Sequence, residues 1–388
     1  AEADGHIQAE SLDLTSRMHI AFLCKQQYTG HDVIRDRYGR LYQLPLQLAR
    51  LGHTVAGFCL SYHKHSNGLW IHPTATGHLQ WTSRTLLDPT SLLHGGYPLE
   101  LLRGIRSFEP DIIVGASDIP HAALACWIAR KLDRPLALDL YDNFESFGQA
   151  RIPGFVRMLS HAIRRASLLV CVTPQLEQFV RQQYRPTAEI TVMGNGLDRS
   201  LFHPREKLAA RRMLNLPQDA FLIGTAGNLH RLKGIATVYG AWPEISASCP
   251  DAQLVLAGPV ERGYPPPSGP KVHFLGNLTQ AQMPELFSAM DLGIVSVLDS
   301  AFGRYCFPQK AYEMLACGLT VIASDVGALA DALSDTPELL FQPGDPGSLA
   351  HAALRQISRP KQTDLPISDW AELVARLEPA LTRAARLA

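Results

Sequence analysis

Two short stretches carry residue types and spacings suited to holding an anion. In "GNLHRLKG" (227–234), Gly227 closes an apolar run, Asn228 follows it, and Arg231 and Lys233 stand just before a helix start near Gly234. Two cations beside a glycine-opened backbone and a helix N-terminus suit a diphosphate. An ordinary solvated turn contains the same residues. In "FPQKAYEMLACGLTVIASDVGALAD" (307–331), Lys310 and Glu313 sit on a helix otherwise built for packing. Pro308 fits the first helical turn, and the amides from Cys306 to Gln309 are expected to be free for phosphate or sugar oxygens. An ionised Glu313 is acceptor-only and matches a vicinal pair of ribose hydroxyls. Pairing with a neighbouring Arg or Lys is the alternative for that carboxylate.

Such groups must be positioned by the elements around them. Apolar runs at 18–24, 54–60, 111–115, 135–140, 167–172, 189–193, 221–226, 252–257, 271–275, 292–297 and 319–323 alternate with helical patterns. Continuous rather than alternating hydrophobicity predicts strands buried on both faces, hence parallel sheets covered by helices in a doubly wound α/β fold. "LYQLPLQLARLG" (41–52) reads as a helix ended by Gly52, with Pro45 predicting a kink. "HAALACWIARKL" (121–132) is a second crossover helix, and "GPVERGYPPPSGP" (258–270) an irregular surface loop. A turn-rich break at 194–207 precedes a run that restarts the pattern as a first strand would. The expected organisation is a disordered extension over 1–17, a first domain over 18–200, a second over 201–366, and a C-terminal helix over 367–388 packing back on the first.

The 388 residues suit two domains, and 36 basic side chains balance 36 acidic ones, which gives no reason to expect nucleic acid. No run approaches a membrane span of about 18 apolar residues. Seven cysteines without CxxC pairs, most inside apolar runs, read as reduced thiols of a cytoplasmic protein.

Four motifs in order carry a family likeness: "VMGNGLDRSLFHP" (192–204), "GNLHRLKG", "EMLACGLTVIASDVGALAD" (313–331) and "FQPGDPGSLAHAA" (341–353). Together they resemble the GT-B glycosyltransferases of family 4, retaining enzymes that use nucleotide-sugars. The resemblance covers nearly all of 18–388 and implies two Rossmann-like domains around a cleft, with the donor on the second and the acceptor on the first. It implies that Glu313 holds the nucleotide ribose and Lys233 the donor diphosphate. Two departures stand out. The family's arginine after the phosphate-loop glycine is Asn228 here, with Arg231 three residues on as a substitute; its second glutamate is Tyr305. Tyr305 or the amides of Cys306 and Phe307 would then meet the donor sugar.

In the first half, the resemblance points to Gly30 and Gly39 in "KQQYTGHDVIRDRYGR" (25–40) and to Tyr141 and Asp142, which occupy the family's His-Asp positions after a strand. Asp142 or Asn143 would equally cap the next helix. Asp118 and His121 also lie at a strand end on the acceptor side, with His121 alternatively an ordinary helix-start residue. The chain has no Asp-x-Asp triplet, so cations and helix ends rather than a metal are expected to neutralise the leaving group. The implied activity is retaining transfer from a UDP- or GDP-linked sugar to a glycan, lipid-linked sugar or small-molecule acceptor. A sugar-nucleotide epimerase and a non-catalytic sugar-nucleotide-binding subunit are the alternatives. "RIPGFVRMLSHAIRRAS" (151–167) sets four arginines beside an apolar stripe, the pattern of a helix lying on the inner face of a membrane as well as of a core helix with a solvated basic side.

Overall fold

A computed structural model describes residues 17–62, 67–85, 96–362 and 365–387. The expected extension therefore lies outside the described residues, except Arg17. Strands β1 (His19–Lys25), β2 (Gln27–Tyr28), β3 (His31–Asp32), β4 (Thr54–Ser61), β5 (Gly68–His72), β6 (His78–Thr85), β7 (Ile112–Ala116), β8 (Leu136–Leu140), β9 (Leu168–Cys171) and β10 (Glu189–Val192) belong to the first lobe. Eight of them form one sheet in the order β10-β9-β8-β7-β1-β4-β6-β5, and β2 and β3 form a separate hairpin. The second lobe holds β11 (Phe221–Ala226), β12 (Ala252–Ala257), β13 (Val272–Phe274), β14 (Leu292–Val295), β15 (Val321–Ser324) and β16 (Leu340–Phe341), ordered β13-β12-β11-β14-β15-β16.

Most strands predicted from continuous apolar runs are buried on both faces, but β10 and β13 stand at the sheet edges and are largely uncovered, with Val192 and Phe274 exposed, which corrects the expectation of two-sided burial there. The reading missed β5 and β6, and the two-residue strands β2, β3 and β16. Along β6 (HLQWTSRT) buried and half-buried residues alternate, a one-sided pattern that a search for continuous runs passes over. β5 pairs with β6 antiparallel at the sheet edge, which corrects the all-parallel expectation for this lobe. The helix Arg40–Arg50 runs on across Pro45.

In each sheet the strand order reverses beside the first strand of the lobe: between β7 and β1 in one, between β11 and β14 in the other. Chains leaving the carboxyl ends of such neighbours diverge to opposite faces and open a crevice. The two crevices face each other across the lobes.

The chain crosses between lobes twice. The crossings run side by side, with Leu197 N–H donating to Ser368 O at 3.0 Å. After the second crossing, the helix Trp370–Ala385 buries Val374, Leu377, Ala380, Leu381 and Ala384 in the core of the first lobe. Each of Val374, Leu377 and Leu381 contributes about 1.5–3 kcal/mol by burial, so the last helix is bound to the lobe that the chain had left. An Arg383–Glu189 pair at 2.6 Å holds it against β10. No helix among the described residues is long and apolar enough to cross a membrane.

Candidate active site

On the second lobe the site begins where β11 ends. Gly227 (φ 101°) turns the chain, and the side chain of His230 accepts from Leu232 N–H at 3.1 Å to cap the tight turn Arg231–Lys233. Gly234 follows with φ 73°, and a Cβ there would stand 2.4 Å from Ser296 Oγ. Only glycine lets the helix Ile235–Ser248 start flush against the end of β14. The exposed Lys233 ammonium lies 5.7 Å from the centre of the Phe302 ring.

From β14 the chain passes through the short helix Ala301–Tyr305 to Gln309–Ala316. Lys310 reaches back under β11 and donates to Thr225 Oγ1 at 2.9 Å. Burial, with Lys233 nearby, lowers its pKa to about 8, against the pull of Glu313. Burial raises the Glu313 carboxyl to about 7, offset in part by a hydrogen bond from Gln309 and by Lys310. The Glu313 charge reaches across to Tyr38 of the first lobe, whose phenol is raised chiefly by burial and then by that carboxylate.

The first lobe answers from the ends of β1 and β7. Lys25 closes β1, its ammonium 5.7 Å from the Phe147 ring centre. Burial lowers its pKa against the opposing pull of Asp118, Cys24 and Asp142. After β7, Ser117 holds a strained φ of 90° while fully buried, fixed by Lys25 N–H donating to its Oγ (2.9 Å) and Tyr141 OH donating to its carbonyl (2.7 Å). Asp118 caps the helix Ile119–Leu132, accepts from His121 Nδ1 at 2.6 Å, and takes bonds from Tyr62 OH (3.2 Å) and Gln149 Nε2 (3.4 Å). Burial would raise this carboxyl, but the charge and hydrogen bonds of His121 more than offset it. Asp142 accepts from Asn143 N–H at 2.7 Å. Burial raises it to about 6 despite that bond and the attraction of Lys233 and Lys25.

Lys25, Asp118 and Asp142 thus face Lys233, Cys306, Lys310 and Glu313 in one electrostatic neighbourhood between the lobes. The structure gives other expected residues different surroundings. The Tyr141 hydroxyl is engaged by Ser117 O and its ring packs on Tyr28 and Phe144, so it forms the floor of the crevice. Asn143, not Asp142, caps the following turn, accepting from Glu145 N–H at 3.1 Å. Arg231, expected to substitute for the arginine missing at Asn228, leans on Glu261 instead (3.3 Å). Tyr305 turns its ring onto Phe179 of the first lobe, 4.9 Å between centres, and its carbonyl accepts from Thr173 Oγ1 at 3.0 Å.

The amides of Cys306 and Gln309 are also not free: they donate to Phe302 O and Phe307 O, both at 2.9 Å. Among the described residues no backbone carbonyl outside a helix or strand accepts from the Phe307 amide. Burial lifts the Cys306 thiol to about 12, with Asp142 adding to the rise. Gly30 lies at the exposed tip of the β2–β3 hairpin (φ 87°), while Gly39 (φ 71°) lets the Tyr28 ring close over the start of the helix Arg40–Arg50. Among the described residues no group of three or more His, Cys, Asp or Glu is placed to hold a metal ion.

Sequence reasoning missed Lys25, Tyr38 and Tyr62. Lys25 was findable, since it ends the first strand; Tyr38 and Tyr62 carry no local signal and are brought in by loop packing.

Two family models match the chain: "Glycosyl transferase 4-like domain" over residues 40–196 and "Glycosyl transferases group 1" over 220–359. The chain belongs to the GT-B glycosyltransferases of family 4. Among curated GT-B relatives, a D-inositol 3-phosphate glycosyltransferase of Stackebrandtia nassauensis is 29% identical over 234 residues, 56% of this chain and 50% of the relative. The chain thus spans about half the length of the curated relatives it matches. Solved GT-B structures resemble it along nearly its whole length. Sucrose-phosphate synthase from Thermosynechococcus elongatus aligns with TM-score 0.67 at 20% identity, covering 95% of this chain and 94% of that one. Anabaena Alr3699/HepE, solved with UDP and glucose, aligns with TM-score 0.67 at 19% identity, covering 94% and 100%.

Proposed function

We propose that the protein transfers a sugar, with retention, from a nucleoside-diphosphate sugar to a hydroxyl acceptor. The carrying observation is the convergence of Lys233, Lys310 and Glu313 from β11 and β14 on Asp142 and Lys25 across the crevice. The ribose hydroxyls donate to Glu313, and the diphosphate lies against Lys233, the Phe307 amide and the start of the helix Gln309–Ala316. As the sugar–phosphate bond breaks, negative charge grows on the diphosphate and these fixed dipoles and cations stabilise it. The acceptor lies on the Lys25, Asp118 and Asp142 side. Its attacking hydroxyl passes its proton to the departing phosphate on the same face of the sugar. Closure of the lobes excludes water, which would otherwise hydrolyse the donor. The neutralisation comes from cations and amides, so EDTA is expected to leave the rate unchanged. The names of the relatives support this reading: one is called an inositol 3-phosphate glycosyltransferase, and one was solved with UDP and glucose.

Thermal shift with UDP, GDP and their sugars, followed by turnover with and without glycan, lipid-linked and small-molecule acceptors, tests it. A nucleotide that binds only the folded protein raises its melting point. Product should form only when donor and acceptor are both present. Donor conversion without acceptor would make the protein an epimerase, and binding without turnover across all acceptors a sugar-nucleotide-binding subunit.

We also infer contact with the cytoplasmic face of a membrane. The helix Phe155–Arg165 exposes Arg157, Met158 and Arg165, and Ile152 stands exposed beside it. Trp127, Met158, Arg130 and Arg157 line a groove of about 310 Å³ between this helix and Ile119–Leu132. Basic side chains around exposed apolar ones fit an anionic lipid surface. Co-sedimentation with phosphatidylglycerol vesicles, absent with phosphatidylcholine and lost in Arg157→Glu/Arg165→Glu, is the expected result. Equal recovery with both lipids would remove the inference.

A further inference from the structure

Building on the transferase reading, we propose that Arg40 is a positioning residue that sets how the two lobes meet. Its guanidinium is wholly buried and ties three parts of the chain together. Nε donates to both carboxylate oxygens of Asp139 at 2.9 Å, and Nη2 to Oδ1 at 2.7 Å. Nη1 turns the other way and donates to Met193 O (2.8 Å), Gly194 O (2.9 Å) and Asn195 Oδ1 (3.1 Å), all on the first crossing between lobes. The planar fork of arginine can bridge a carboxylate on one edge and carbonyls on the other; the compact ammonium of lysine cannot.

What these partners carry gives the clamp its consequence. Asp139 lies in β8, three residues before Asp142. Arg40 follows Gly39 and the loop that brings Tyr38 near Glu313. On the far side of the crossing, a Cβ on Gly194 would stand 2.7 Å from the Phe307 ring. Gln309 reaches toward Gly196 O at 3.4 Å. The donor loop of the second lobe therefore rests on the very backbone that Arg40 holds. One guanidinium links the acceptor-side loops, the strand that leads into Asp142, and the seat of the donor helix. A buried ion pair is costly to desolvate and contributes little net stability over apolar packing. Its return here is a fixed pivot, so that closure brings Lys233 and Asp142 to one separation.

The test uses the full chain, with Arg40→Lys and, as a milder change that spares the Asp139 pair, Asn195→Ala. Arg40→Lys is expected to lower kcat about tenfold to a hundredfold, the cost of roughly 1 Å of misplacement. UDP affinity by calorimetry should stay at the parental value. Donor hydrolysis relative to transfer should rise, and compaction on UDP binding, read by small-angle scattering, should be lost. Asn195→Ala should shift the same readouts in the same direction by less. Parental kcat and compaction in folded Arg40→Lys overturn the proposal. So does a fall in UDP affinity matching the fall in kcat, which would place Arg40 in donor binding. If Arg40→Lys does not fold, parental values in Asn195→Ala overturn it. Scattering needs no turnover: compaction lost in the variant while the parent transfers nothing keeps the pivot and refutes the transferase reading.

Discussion

Lys233→Ala is expected to cost about 2–4 kcal/mol of transition-state stabilisation, lowering kcat roughly thirtyfold to a thousandfold, comparable to the loss of one oxyanion donor. The ammonium stands exposed over Phe302, and among the described residues no carboxylate pairs with it, so it is available to a ligand. Its neighbours sharpen the expectation. Lys310 is engaged by Thr225 and Arg231 by Glu261, so neither is free to take over its charge. Because developing charge on the diphosphate is greater than ground-state charge, kcat should fall more than donor affinity. Steady-state kinetics with saturating acceptor separates the two. A parental kcat with only a raised KM would assign Lys233 to ground-state binding.

The second large effect is in pH. Burial raises Glu313 to about 7, so the folded protein holds this proton more tightly than the unfolded chain does. The sign follows: between the ordinary value of 4.5 and about 7, ionising Glu313 costs stability, and this group's contribution falls as pH rises through that window. A bound ribose reverses the balance, because its hydroxyls donate to the carboxylate form. Nucleotide binding should therefore release a proton below pH 7, and affinity should climb as pH approaches 7. Above about 8, Lys310 loses its charge and affinity should decline. Calorimetry in buffers of different ionisation heat reads both the released proton and the maximum. Glu313→Gln should abolish the acidic limb and weaken binding by about 1.5–3 kcal/mol, the worth of a hydrogen bond to a charged group. Affinity flat from pH 5.5 to 7.5 would refute the ribose assignment.

Much of this architecture is written locally in the chain. Runs such as Phe221–Ala226 and Ala252–Ala257 are mostly apolar, and alternation of such runs with helical patterns points to parallel strands covered on both faces by helices. Glycines at 227 and 234 mark where backbone must turn into a helix at a strand end, which made Lys233 legible before any packing was known. β6 was not legible that way, since its alternating burial comes from lying near a sheet edge. Tertiary structure alone decided which of several similar residues face the crevice. Arg231 and Lys233 are both cations of one tight turn, yet Glu261, thirty residues on, takes the first and leaves the second free. Tyr305 and Tyr141 stand where the family places reactive groups, but contacts with Phe179 and Ser117 engage them in packing. Arg40 and Asp139 carry no motif and sit 99 positions apart; only folding makes them a pair and sets them against the crossing. Sequence by itself determines burial pattern and turn chemistry, because those depend on neighbours along the chain. Which charge stays free, and how far the lobes stand apart, depends on partners that meet only once the chain has crossed between them twice.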